Sequence, residues 1–256
     1  MPSPLKVAVL GCDTPLPGIK ARFGQYGGMH DVLLQKSVEA LNRPDLIDPK
    51  NGLEVKVWDV VNGDQYPKLE DIDAILITGS KHNSFDDDPW ILRLVDFTQQ
   101  ALGTDRIRIV GVCFGQQILA RALGCRVGRG EGWEIGVHNL DLTDKGKEIF
   151  GSDSLRLQQS HRDVVHELPP DTSILASTSI CAIHAMYSPG RFIAVQGHPE
   201  FDETIMSEII NARHGKGVYP DSMFDDSIKR AGDEHDGILA GMTFLRFLVD
   251  DLEVSK

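Results

Sequence analysis

Apolar residues fall in short runs along this chain, and the runs change texture about halfway. Strand-like runs at 5–10, 53–58, 73–78 and 107–112 are separated by stretches near 29–42, 89–102 and 115–123, where apolar residues recur at helical spacing. Strands alternating with helices are the rhythm of a parallel sheet, because parallel neighbours need a crossover between them. From 125 onward the runs shorten. Strands are predicted at 125–128, 133–142, 155–160, 173–178, 182–187 and 191–196, with one short helix near 143–150 among them. That texture fits an antiparallel excursion returning to the main sheet. The expected fold class is α/β: a mostly parallel sheet flanked by helices, with an antiparallel excursion.

Residues 211–237 are rich in Gly, Asp and Lys and read as a surface excursion with a helix inside it. The run 238–249 is a strongly apolar helix, suited to packing on the sheet or to a dimer contact. No repeat or low-complexity linker interrupts the chain. A single domain over 1–256 is expected, with a C-terminal helical extension over about 211–256.

Composition narrows the function. A chain of 256 residues can bury a full core. Its formal charge of −12 has the wrong sign for a binder of phosphate backbones, so nucleic acid is not expected as a partner. No stretch approaches the ~18 apolar residues of a membrane helix, and the start reads as a first core strand rather than a signal segment. The cysteines at 12, 113, 125 and 181 form no Cys-x-x-Cys pair, and the nine histidines form no His-x-x-x-His pair. Reduced thiols in a cytoplasmic setting are the better reading, with no metal and no cofactor expected. Cys12, Cys125 and Cys181 are read as small core residues.

The chemistry concentrates at two short segments. In Ile109-Val110-Gly111-Val112-Cys113-Phe114-Gly115-Gln116-Gln117 an apolar strand runs into a glycine-flanked cysteine and then at once into a helical pattern. Such a sharp strand-to-helix turn lifts one side chain above the sheet end, and it needs glycines where a Cβ would clash. A free thiol has a pKa near ~8.5, and a helix N-terminus lowers it by favouring negative charge. The same helix end leaves the N–H of Phe114 free to face an oxyanion. Downstream, Gln196-Gly197-His198-Pro199-Glu200 follows a buried strand-like run. The residue before proline is held extended, so His198 and Glu200 project to one side, the carboxylate orienting the ring. Cys113, His198 and Glu200 are the parts of a thiol triad, with the imidazole placed to take the thiol proton.

These two segments resemble the class I glutamine amidotransferases, cysteine-dependent α/β enzymes of flavodoxin-like architecture that hydrolyse the γ-amide of glutamine. The resemblance covers roughly residues 5 to 215 and implies that Gln117 helps to hold the substrate. A third segment, Ile75-Leu76-Ile77-Thr78-Gly79-Ser80, corresponds to the family loop that supplies a second oxyanion donor. That loop usually reads Gly-Gly-Pro; here either Gly79 or Ser80 fills the role. The Gly-Ser turn, the Asp-rich loop with Trp90 and the stretch Gln159-Ser160-His161-Arg162-Asp163 are more similar to the stand-alone branch that includes plant γ-glutamyl peptidases. By that resemblance, His161 is a candidate to meet the amino-acid head of a small-molecule γ-glutamyl substrate.

Alternatives stay open. The chain has no room for a synthetase domain, so it either hydrolyses its own substrate or supplies ammonia to a separate synthetase partner. A homodimer is equally compatible. An α/β-hydrolase of the dienelactone type shares Gly-x-Cys-x-Gly, but its acid precedes the histidine in the chain, whereas Glu200 follows His198. A non-enzymatic descendant that binds a metabolite or a partner is the remaining rival.

Overall fold

From Val7 onward every residue of the first strand, Leu5–Gly11 (β1), is buried, and successive side chains point to opposite faces of the sheet. Val7 and Val9 face one side, in a core with Leu34, Val38, Phe244 and Leu248. Ala8 and Leu10 face the other, in a core with Trp90, Leu94, Phe114 and Leu119. Both faces are covered by helices, as parallel strands require. The computed structural model describes residues 4–249 and Leu252.

After β1 come α1 (Pro17–Phe23), α2 (Gly28–Leu41), β2 (Leu53–Asp59), β3 (Ala74–Ile77), α3 (Pro89–Leu102), β4 (Arg108–Val112) and α4 (Phe114–Ala122). The excursion comprises β5 (Val127–Leu142), α5 (Asp144–Phe150), β6 (Leu155–Val165), β7 (Ser173–Ser177) and β8 (Ala185–Ser188). The chain then returns through β9 (Phe192–Val195) and ends in α6 (Glu203–His214), α7 (Asp221–Ala231) and α8 (Gly237–Leu248). The strand order is β2-β1-β3-β4-β9-β8-β7-β5-β6. The strands from β2 through β9 are mutually parallel, and those beyond β9 pair antiparallel. The parallel part has the flavodoxin-like order, whose ligands bind beyond the carboxyl ends of the strands. The α/β class with its antiparallel excursion is what the chain adopts.

Five details differ from the sequence reading. α1 was not foreseen: it has seven residues, opens on Pro17 and buries only Ile19, too little for a periodic signal. α6 was also missed, although Asp202 caps it by accepting from the Ile205 N–H, and Ile205, Met206, Ile209 and Ile210 form its buried stripe. β5 is one strand rather than two, because an irregular register between Arg129 and Glu134 carries it across a glycine-rich stretch. β6 continues to Val165, and β8 starts only at Ala185, leaving 182–184 as a bend.

α2 packs against α8 over the core on one face of the sheet. α1, α6 and α7 enclose a separate apolar cluster around Ile19, Met29, Phe201 and Tyr219, beside the carboxyl end of β9. Among the described residues, no helix is long and apolar enough to cross a membrane.

Candidate active site

β4 ends at Val112, α4 begins at Phe114, and Cys113 alone makes the turn between them. Its backbone has φ 52° and ψ −106°, a left-handed conformation that a residue with a Cβ rarely takes. Such a conformation costs ~1–3 kcal/mol and persists only where its surroundings enforce it. They do so here: Cys113 N–H donates to Val195 O at 2.8 Å, tying the turn to the end of β9. A Cβ on Gly115 would lie 2.1 Å from Ile77 O, and one on Gly111 2.9 Å from Gln116 N. The glycines let α4 start hard against β3 and β4.

Three residues past β9, His198 is fixed by its own backbone, which donates to Gln158 O at 2.8 Å. Its ring lies parallel to Phe201, with centroids 4.1 Å apart. Nδ1 is 2.8 Å from Glu200 Oε1, and the Cys113 thiol is in side-chain hydrogen-bond contact with the same ring. Burial alone would depress the His198 pKa, but Glu200 and Cys113 outweigh it and raise it to about 10. The structure thus brings Cys113, His198 and Glu200 into one line.

A further residue joins this line. His30, fully buried on α2, places Nε2 3.4 Å from the same Glu200 oxygen. Burial pushes His30 below its ordinary range, so near neutral pH it faces Glu200 uncharged. Burial opposes ionisation of Glu200 too, but the histidines beside it, of which His198 carries the charge, hold its carboxyl below the usual range. No spacing in the sequence links position 30 to position 200.

The candidate oxyanion donors lie around this line. Phe114 N–H is at the first position of α4, where no preceding turn supplies an acceptor. Gly79 follows β3 and faces the histidine, since a Cβ there would be 2.5 Å from His198 Cε1. Ser80 and Phe114 line the cavity over Cys113. The Ser80 hydroxyl accepts from His82 N–H at 3.1 Å.

Gln117 lines that cavity as well, with its amide engaged in the protein. Oε1 accepts from Ser84 Oγ at 2.9 Å, and Nε2 donates to Asp163 O at 2.9 Å and Gln196 Oε1 at 3.1 Å. Gln117 thereby ties the 80s loop to β6 and to the histidine segment. His161 forms part of the wall, but its Nε2 turns to Glu134 Oε2 at 3.0 Å. Asp163 and Arg129, paired at 2.7 Å on the same wall, are charged groups that the sequence reading did not select.

Lys81, Trp133 and Arg213 are shared with a second cavity of about 280 Å³, which runs toward Ile19, Tyr26 and Lys216. Arg213 Nη1 donates to Ser160 O at 3.2 Å and to Tyr219 Oη at 3.0 Å. Away from the site, burial lifts the thiols of Cys12 and Cys181 to about 12, which leaves them protonated and inert.

Solved structures share this architecture. A glutamine amidotransferase from Thermotoga maritima superposes with a TM-score of 0.68 at 19% identity, covering 95% of this chain and 98% of its own. One from Methylobacillus flagellatus gives 0.68 at 20%, covering 98% and 94%. At these identities the likeness speaks for the fold. Among sequences, a glutamine amidotransferase-like protein of Schizosaccharomyces pombe is 32% identical over 95% of this chain and 98% of its own length. Gamma-glutamyl peptidase 3 of Arabidopsis thaliana is 32% identical over 62% of this chain and 69% of its own. The family described as glutamine amidotransferase class-I matches residues 49–214, and with that match over most of its length this chain belongs to that family.

Proposed function

We propose that this protein is a cysteine-dependent hydrolase of γ-glutamyl amide bonds. The observation that carries the reading is the strained Cys113 turn, whose thiol meets a ring already held by Glu200. In the reaction, the Cys113 thiolate attacks the γ-carbonyl while His198 holds the thiol proton. The Phe114 N–H, with that of Gly79 or Ser80, receives the developing oxyanion; one such donor is worth ~2.7–4 kcal/mol. Protonated His198 then gives its proton to the leaving amine. Neutral again, it takes a proton from water as that water attacks the γ-glutamyl thioester, releasing glutamate and restoring the thiol.

The second cavity favours a peptide over ammonia as leaving group. It adjoins the site and combines the apolar surfaces of Trp133, Tyr26 and Ile19 with the cationic Arg213 and Lys216. Ammonia needs no such room, whereas a leaving peptide with an apolar substituent and a carboxylate matches both surfaces. A small-molecule γ-glutamyl peptide, such as a glutathione conjugate, is therefore the substrate class proposed. A reducing compartment such as the cytoplasm suits a reactive thiol among four free cysteines.

The test is hydrolysis by the purified protein of glutamine, glutathione and a glutathione S-conjugate, with Cys113→Ala as control. Release of glutamate from the peptides, abolished in the variant, is expected. Turnover of glutamine alone would instead identify an ammonia-supplying subunit that works with a synthetase. No turnover of any of the three, with a Cys113 that resists alkylation, would leave the binding-protein reading.

A further inference from the structure

A second cluster of titratable side chains stands beside the site, and the proposed chemistry does not use it. Glu134 comes from β5, His161 from β6 and His184 from the bend before β8. All three are buried, and one donor atom from each lies within 4.8 Å of the other two. Glu134 Oε2 is 3.0 Å from His161 Nε2 and 3.6 Å from His184 Nε2. The two imidazoles meet edge to face with centroids 5.5 Å apart.

These atoms converge without aligned hydrogen bonds. Among the described residues, neither ring nitrogen of His161 or His184 has a hydrogen-bond partner in line, and neither does Glu134 Oε2. Buried polar atoms are normally satisfied, so a set left this way calls for an explanation. One carboxylate oxygen can accept from both rings, but neither Nε2 is aligned to donate to it. A cation at the centre would serve all three donors at once.

The donor set and the two separations at Glu134 agree on the kind of cation. Two imidazoles and one carboxylate make a three-ligand zinc set with a fourth position open. Bonds of ~2.0–2.2 Å at tetrahedral angles separate neighbouring ligand atoms by ~3.3–3.5 Å. The separations of 3.0 and 3.6 Å at Glu134 lie on either side of that distance. His138 Nδ1 stands 3.8 Å from the other Glu134 oxygen, on the far side of the carboxylate.

We propose that Glu134, His161 and His184 form a transition-metal site suited to zinc. The site is distinct from the Cys113 thiol but touches its cavity through His161, which lines the wall with Ser160, Arg162 and Asp163. Metal there pins β5, β6 and the bend before β8 together and fixes that wall. Its effect falls on how tightly the substrate's amino-acid head is held, not on the cysteine chemistry.

Cobalt, a spectroscopic substitute for zinc, provides the test. Full-length Cys113→Ala, stripped by a chelator, removes the reactive thiol as a competing ligand and is titrated with Co²⁺. The expected result is a single tetrahedral Co²⁺ band without a sulfur charge-transfer band, erased by added Zn²⁺. Binding should weaken at least tenfold on adding either Glu134→Gln or His184→Gln. Zn²⁺ should also raise the melting temperature of the Cys113→Ala protein and fail to do so for a Glu134→Gln derivative that retains its circular dichroism. No Co²⁺ band in Cys113→Ala would overturn the proposal, with no need for a variant of the cluster to fold. So would a sulfur-ligated band, or affinity unaltered by both cluster substitutions.

Discussion

His30 Nε2 lies 3.4 Å from Glu200 Oε1, the same oxygen that is 2.8 Å from His198 Nδ1, so one carboxylate stands between two buried imidazoles. His30 reaches no reacting atom in this arrangement and acts through Glu200, as a positioning residue. His30→Leu should lower kcat/KM by about tenfold, roughly 1.4 kcal/mol of transition-state stabilisation, with little change in KM. Losing the polar neighbour makes ionisation of Glu200 harder, so the acid limb of kcat/KM should move to higher pH. His30→Gln, which keeps a donor, should restore part of the loss. An acid limb that stays in place in His30→Leu would show that His30 only fills space.

Glu200→Gln tests the charge on the other side. Burial pulls the His198 pKa down, and Glu200 is the first of the groups that push it back up, to about 10. A raised histidine pKa contributes stability that is fully present below its unfolded value of ~6.5 and is lost as pH rises through the folded value. The melting temperature of the unaltered protein should therefore decline between neutral pH and about 10 through this group. In Glu200→Gln the decline should end at lower pH and be smaller. Activity should fall by ~10²–10⁴, the usual value of positioned acid–base assistance. Identical melting profiles would mean that Glu200 does not hold the His198 proton.

Two glycines separate catalytic from structural damage. A methyl on Gly79 would lie 2.5 Å from His198 Cε1, and the ring cannot retreat freely because Phe201 stacks on it at 4.1 Å. Gly79→Ala should therefore displace the imidazole and cost ~10²-fold in rate, the scale of a 1 Å misplacement, while the fold survives. A methyl on Gly115 would meet backbone instead, 2.1 Å from Ile77 O. Gly115→Ala should lose ~1–3 kcal/mol in denaturant unfolding. Comparable loss of stability in both would remove the distinction.

The parallel half, α1 apart, was legible because its strands and longer helices announce themselves locally. β1, β3 and β4 are short apolar runs, and α2 and α3 carry their apolar residues at helical spacing. Cys113, His198 and Glu200 were legible for a related reason, since each sits in a short motif beside such a strand. The cap at Asp202 is present in the sequence, but α6 lies mostly before the 211–237 excursion, in a stretch to which the sequence reading assigned no element. His30, Glu134 and His184 belong to another class. They are brought to their partners by α2, β5 and the bend before β8, and only the folded topology sets those distances. Gln117 lies between the two cases: its place on α4 was readable, but the three partners that occupy its amide were not.

The Cys113 turn predicts a conflict between function and stability. At φ 52° and ψ −106° any side chain is strained, and glycine alone is at ease there. Cys113→Ala and Cys113→Gly both lack the sulfur and should both be inactive. The glycine variant should nonetheless be the more stable of the two, by ~1–2 kcal/mol in denaturant unfolding, because only it escapes the left-handed penalty. Equal stabilities would mean that the turn relaxes once the thiol is gone.

Arg213 decides which part of the substrate the second cavity serves. Its guanidinium stands where the Cys113 cavity and the 280 Å³ cavity meet, held by Ser160 O and Tyr219 Oη. Arg213→Gln should raise KM for a glutathione S-conjugate about tenfold, equivalent to ~1.4 kcal/mol of binding. A carboxylate on the leaving peptide would lose its charged partner, whereas glutamine places nothing there. KM for glutamine should therefore barely move, and kcat for either substrate should stay close to its original value. A matched rise in both KM values would assign Arg213 to the glutamyl head common to the two substrates. The leaving peptide would then have to be recognised by the rest of that cavity, Lys216 with Trp133, Tyr26 and Ile19, and the preference for peptides should survive in the variant.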